Sequence, residues 1–177
     1  MVGWKKIKSK VVHKNPWYSV REDDVIRPDG KKGKYFVTEF NSVAVVAIDN
    51  DDNIYLVGQT RYPIGNIYSW EIITGGIEKG NSPLKTAKLE LKEEAGITAK
   101  NWTFLGYFHE TNGISSSKCS LYLAKNLLVG NINFEGTEDI SIKKEKLKNI
   151  IKMIKDNEIT DGLTIVAIYK YLLYKKI

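Results

Sequence analysis

The stretch from Gly75 to Ile97, GGIEKGNSPLKTAKLELKEEAGI, decides how the chain is read. Ser82 suits a helix N-cap, Pro83 the first helical position and Gly96 the C′ stop, so the spacing predicts a helix from Ser82 to Ala95. At about 100° per residue, Leu84, Ala87, Leu91 and Ala95 gather into an apolar stripe, with Lys85, Lys88 and Lys92 on the other side. Glu90, Glu93 and Glu94 lie between them at i, i+3 and i+4. Like charges at those spacings weaken a helix by a few tenths of a kcal/mol per pair, roughly. They also sit at the end of the helix where the dipole disfavours negative charge. Two readings follow: a solvated acidic face, or a carboxylate set that a hard divalent cation turns from repulsion into binding.

The rest of the chain fits one soluble globular domain with an appended element. It has 177 residues, 42% hydrophobic and 27% charged. Its longest apolar runs, such as Val43–Ile48, are too short to cross a bilayer, and MVGWKKIKSK lacks the apolar core of a secretory signal. The expectation is a cytoplasmic protein without a membrane partner. Cys119 is the only cysteine, which leaves no intrachain disulfide and no cysteine metal cluster, and it reads as a small buried strand residue. The net charge of +6 raises nucleic acid as a partner. Only Arg21, Arg27 and Arg61 are arginines, however, and the densest lysine stretch, Lys143 to Lys155, reads as the solvated face of a helix. Nucleic acid is therefore not the expected partner.

Upstream, WKKIKSKVV reads as a strand, NPW as a turn, and VIRPDGKKGKYFVTEF as two strands around Pro-Asp-Gly. SVAVVAID and NIYLVGQTR, split by Asn50–Asn53, read as a hairpin of buried strands. Downstream, NWTFLGYFHE and KCSLYLAKNLL read as strands around the loop TNGISSS. GTEDISIKKEKL leads through a short strand into a helix ending near Asn157, and Gly162–Tyr174 reads as a last helix with Ile165, Ile168, Tyr169 and Leu172 on one side. Strands on either side of helices make an α/β or α+β domain with a mixed sheet.

The Gly75–Ile97 segment resembles the Nudix box. Gly75, Glu90, Leu91, Glu93, Glu94, Gly96 and Ile97 fall in its register, while the box's first glutamate is Asn81 here and its arginine is Leu89. Both members of a supporting pair are thus replaced together, which strands no charge but alters what orients the glutamates. RYPIGNIYSWEIITGG and the C-terminal KEKLKNIIKMIKDNEITDGLTIVAIYKYLL are similar to the corresponding runs of ADP-ribose pyrophosphatases and nucleotide-sugar hydrolases.

The resemblance implies an α/β/α sandwich with a mixed sheet over 41–177, preceded by an N-terminal antiparallel β element over 1–40 that pairs two copies into a homodimer. It implies hydrolysis of a pyrophosphate linked to a nucleoside, dependent on Mg2+ or Mn2+. Glu90, Glu93, Glu94 and the carbonyl of Thr74 would be metal ligands, with Glu93 and Glu94 catalytic. A general base would come from the late acidic loop FEGTEDI, Glu138 first and Glu135 second, unless these are plain loop carboxylates. Arg61 would hold a phosphate or terminal ribose, or else be a surface ion-pair partner. Glu71 would hold a substrate hydroxyl or pair with a lysine. Trp17 or Tyr18 would stack on a nucleobase, or belong to a core or interface. HETNGISSSKCS carries Ser115–Ser117 and Lys118 where relatives have a small-residue turn and an acid, and His109 reads as a polar strand end. The alternative function is a nucleotide-binding or regulatory domain with weak catalysis.

Overall fold

The computed structural model describes residues 3–130 and 140–176. They fall into two compact units, one of 3–41 with 109–118, the other of 42–108 with 119–130 and 140–176.

The first unit is a three-stranded antiparallel sheet of β1 (Lys5–Lys14), β2 (Ser19–Ile26) and β3 (Lys32–Glu39) in the order β1-β2-β3. The Asn15 side chain accepts from the N–H groups of Trp17 and Tyr18 and makes the first turn. Asp29 accepts from the Lys31 N–H at 3.1 Å beside Gly30 at φ +80°, which makes the second. The His109–Lys118 loop belongs to this unit. Thr38 and Ser115 form a parallel bridge, the Thr38 N–H donates to Ile114 and the Ser116 N–H to Thr38. Ser115–Ser117 therefore serves as edge pairing for β3, and the Ser117 hydroxyl accepts from the Phe40 N–H.

The second unit contains β4 (Ser42–Ala47), β5 (Asn53–Arg61), β6 (Ile67–Glu71), β7 (Ile73–Gly76), α1 (Pro83–Ala95), β8 (Ile97–Phe108), β9 (Cys119–Val129), β10 (Ser141–Lys146), α2 (Leu147–Lys155) and α3 (Gly162–Lys175). One sheet runs β7-β4-β9-β8, with β4 and β9 parallel and the other pairs antiparallel; a second runs β10-β5-β6. Alternate residues of β4 face opposite ways. Val43, Val45 and Ala47 pack with Ala87, Leu91 and Ala95 of α1, while Ala44 and Val46 pack with Ile150, Ala167, Ile168 and Tyr171 of α2 and α3. This is the α/β/α sandwich with a mixed sheet that the resemblance implied. Cys119 is buried in β9. Among the described residues no helix is long and apolar enough to cross a membrane.

Three local expectations are corrected. β4 and β5 are not a hairpin: they lie in different sheets, and the only backbone bridge at their junction among the described residues is Ile48–Ile54. Both strands are apolar on both faces, so their pattern carries no register, and Asp49 turns the chain by accepting from the N–H groups of Asp51 and Asn53. Lys143 and Lys144 belong to strand β10, with their ammonium groups over the rings of Trp70 and Tyr55, so the lysine stretch is only partly a helix face. In α3 the buried side is Thr164, Ala167, Ile168 and Tyr171, and Tyr169 is 54% exposed. That helix is apolar nearly all round, so period alone cannot select its inner face.

A buried polar lock joins α3 to the strands. Asp161 caps α3 by accepting from the Thr164 N–H and hydroxyl, each at 2.7 Å, and Thr164 Oγ1 accepts from the Ile72 N–H at 3.0 Å. Ile72 is the single residue between β6 and β7, where the chain leaves one sheet for the other, so its N–H is satisfied by a side chain. Thr164→Val removes that acceptor and should cost roughly 1–3 kcal/mol in denaturant unfolding, whereas Thr164→Ser should retain most of the stability. Equal stability of the valine and serine variants would refute the lock.

Candidate functional site

Helix α1 forms as its signals require. The Ser82 hydroxyl accepts from the Lys85 N–H, and Gly96 takes φ +64°, ending the helix as β8 begins. Burial of Ala87, Leu91 and Ala95, with Thr86, fixes the rotation of the helix against the sheet. That rotation decides where each glutamate goes.

Glu94 faces β7. Its carboxylate accepts from the Thr74 N–H at 3.3 Å. Burial, reinforced by the charge of Glu90, raises its pKa to about 8; the Thr74 N–H and Arg61 act against the rise, and Glu71 adds to it. Glu90 lies one turn earlier, with its carboxylate over Gly75, where an added Cβ would collide with it. The bare glycine is a cradle for that carboxylate.

Glu93 does not join them. Consecutive helical residues differ by about 100°, and Glu93 is exposed beside Lys92, Gly96, Thr98, Leu128, Val129 and Gly130. Among the described residues no three His, Cys, Asp or Glu side chains converge as a metal cage. Of the expected metal set, Glu90, Glu94 and Thr74 are brought together along the α1–β7 seam, and Glu93 stands aside. Hard carboxylate oxygens that repel each other across a glycine cradle are a donor set suited to a divalent cation.

Beside this seam is a concavity of about 360 Å³, lined by Arg61, Pro63, Ile64, Ser69, Glu71, Thr74 and the residues from Thr160 to Leu163. Arg61 ends β5, and its fork donates to both oxygens of Glu71, the Nε bond being 2.9 Å. Glu71 is 5% exposed, and among the described residues its ion-pair partner is Arg61 rather than a lysine; the hydrogen bond raises the Arg61 pKa. The arginine reaches the cavity with its charge largely answered.

Trp17 lies in the β1–β2 turn of the other unit and is 81% exposed. Glu135 and Glu138 lie outside the described residues. Asn81 accepts from the Lys85 ammonium at 2.8 Å and Leu89 is exposed, so neither supports the glutamates. His109 meets the Ser117 carbonyl through Nδ1 at 2.8 Å. Sequence reading passed over Asp161 as part of a helix break. The available signal was Asp161-Gly-Leu-Thr164 before an apolar run, the pattern of a capped helix start.

Comparison with known proteins agrees with this architecture. The NUDIX domain family model matches residues 39–144, and a model described as the nucleoside diphosphate sugar hydrolase N-terminal domain matches residues 4–38. An ADP-ribose pyrophosphatase of Bacillus subtilis (strain 168) is 33% identical over 157 residues, which span 87% of this chain and 84% of the relative. A methanol dehydrogenase activator of Bacillus methanolicus is 30% identical over 167 residues, spanning 93% and 90% of the two chains. A crystal structure of an ADP compounds hydrolase aligns with a TM-score of 0.83 over 98% of this chain and 95% of that one, at 21% identity, a likeness of fold alone. With one family model covering more than half of its length and a relative 33% identical over 87% of it, the chain belongs to the Nudix family.

Proposed function

We propose that the protein hydrolyses the pyrophosphate bond of a nucleoside diphosphate derivative, ADP-ribose or a nucleotide sugar, with Mg2+ or Mn2+. The observation that carries this reading is the partly buried Glu94 carboxylate, set against Glu90 at the Thr74–Gly75 edge and adjoining the cavity that Arg61 and Glu71 line. Glu90, Glu94 and the Thr74 carbonyl would hold the cation, with Glu93 turning in from its exposed position. Bound there, a divalent cation supplies positive charge against the pyrophosphate and acidifies water for attack on phosphorus.

The chain's own groups supply the remainder. Glu71 fixes the Arg61 fork, so the guanidinium enters the cavity in one orientation. The Thr74 N–H holds Glu94 in place. Glu138, or Glu135, is the proposed acceptor of the water's proton. On the N-terminal element, the exposed Ile7, Val11 and Phe36 support pairing with a second copy, with Trp17 stacking on a base.

A regulatory reading rests on the similarity to the methanol dehydrogenase activator and on Asn81 and Leu89. One experiment addresses both readings: incubation with Mg2+ and a panel of ADP-ribose, nucleotide sugars and dinucleotides, followed by assay of released monophosphate. Turnover is expected, and Glu94→Gln should lower kcat roughly 100-fold while leaving the melting temperature unchanged or higher, because the neutral amide keeps the Thr74 contact and spares the site an ionisable carboxyl that burial and Glu90 disfavour. Tight, metal-independent nucleotide binding without turnover would favour regulation. Separately, Gly75→Ala should displace the Glu90 carboxylate and weaken Mg2+ binding about tenfold by calorimetric titration. Unchanged affinity would remove Glu90 from the ligand set.

A further inference from the structure

The cavity beside Arg61 carries more carboxylate than its cation answers. Arg61 is its one cationic group among the described residues, and its fork is spent on Glu71. Asp161 also lines the cavity, and its negative charge acts on Arg61. Both bonds that cap α3 fall on one oxygen, Oδ2. Oδ1 takes no part in the cap, yet belongs to a side chain on the cavity wall.

The remaining lining has two characters. Ser69, Thr74 and Thr160 offer hydroxyl and backbone groups, while Pro63, Ile64 and Leu163 offer an apolar surface. A formal charge of one guanidinium against Glu71 and Asp161 disfavours a bare phosphate there. It suits a neutral polyol, whose hydroxyls donate to carboxylates while its C–H face lies on apolar side chains.

We infer that Asp161 is a specificity-determining residue whose Oδ1 accepts a hydroxyl of the sugar half of the substrate, in the cavity between the end of β5 and the start of α3. The inference rests on the proposed pyrophosphate hydrolysis and adds which half of the substrate this cavity reads. Sugar esters of nucleoside diphosphates are then preferred over alkyl esters of the same nucleotide, and the preference resides in Asp161.

Asp161→Ser tests this cleanly, because serine still caps a helix but places no atom where Oδ1 stands. Steady-state kinetics with Mg2+ would compare ADP-ribose with an alkyl ester of ADP, and thermal unfolding would report on the cap. The expected result is a KM for ADP-ribose raised about tenfold or more, kcat within about twofold, and unchanged kinetics on the alkyl ester. A purely structural role would shift both substrates together, and that outcome overturns the inference. So does a wild-type enzyme that hydrolyses both esters equally well. Failure to hydrolyse either ester would instead overturn the pyrophosphatase reading on which this one stands. If Asp161→Ser proves unstable, Asp161→Asn retains the cap and should show the same selective loss in smaller measure; an equal effect on both esters would again refute it.

Discussion

A carboxylate held away from water beside a second carboxylate is the constraint on which the site depends. Glu94 keeps that position because Ala87, Leu91 and Ala95 must be buried against β4 and its neighbours, and this fixes the rotation of α1. Once the apolar stripe is inside, Glu94 faces the backbone of β7 and Glu90 follows one turn behind. The strand answers with a donor, the Thr74 N–H, and with the missing Cβ of Gly75. These do not compensate fully, which is why the Glu94 proton is held to about pH 8. The helix thus stores unfavourable electrostatics, and a cation bound there would relieve them.

The same seam explains how the glutamates are held although Asn81 and Leu89 stand where the Nudix box has glutamate and arginine. Asn81 is engaged by Lys85 and Leu89 faces outward, so neither substitution leaves a buried charge unpaired. Support passes to the backbone of β7 and to the packing of α1. Backbone donors do not depend on side-chain identity, and this makes the loss of a supporting ion pair tolerable.

Helix α1 was legible almost to the residue, because Ser82, Pro83 and Gly96 are local signals and the apolar stripe is strictly periodic. The layering was legible from the alternation of apolar runs and helices. What the sequence could not disclose was pairing. The β4 and β5 runs are apolar on both faces, so nothing in them announces that they part into different sheets. The partnership of Arg61 with Glu71 does not follow from strand pairing: the register of β5 on β6 sets Arg61 against Ile67 and Val57 against Glu71, and only the reach of the arginine side chain joins them. Asp161 is a hundred residues along the chain from Arg61, and only the packing of α3 on Ile72 brings it to the same cavity. The exposed position of Glu93 was not legible either, because i, i+3 and i+4 spacing permits convergence but does not require it.

The central claim is that cation binding is coupled to the Glu94 proton. A carboxyl with a pKa of about 8 is mostly protonated at pH 7 and must lose its proton to become a ligand, so affinity should rise with pH until that pKa is passed. The direct measurement is Mg2+ titration calorimetry of the substrate-free protein at pH 7, in two buffers of different ionisation enthalpy. The expected result is release of close to one proton per cation by the wild type and of none by Glu94→Gln. Equal heats in the two buffers for the wild type would contradict the coupling.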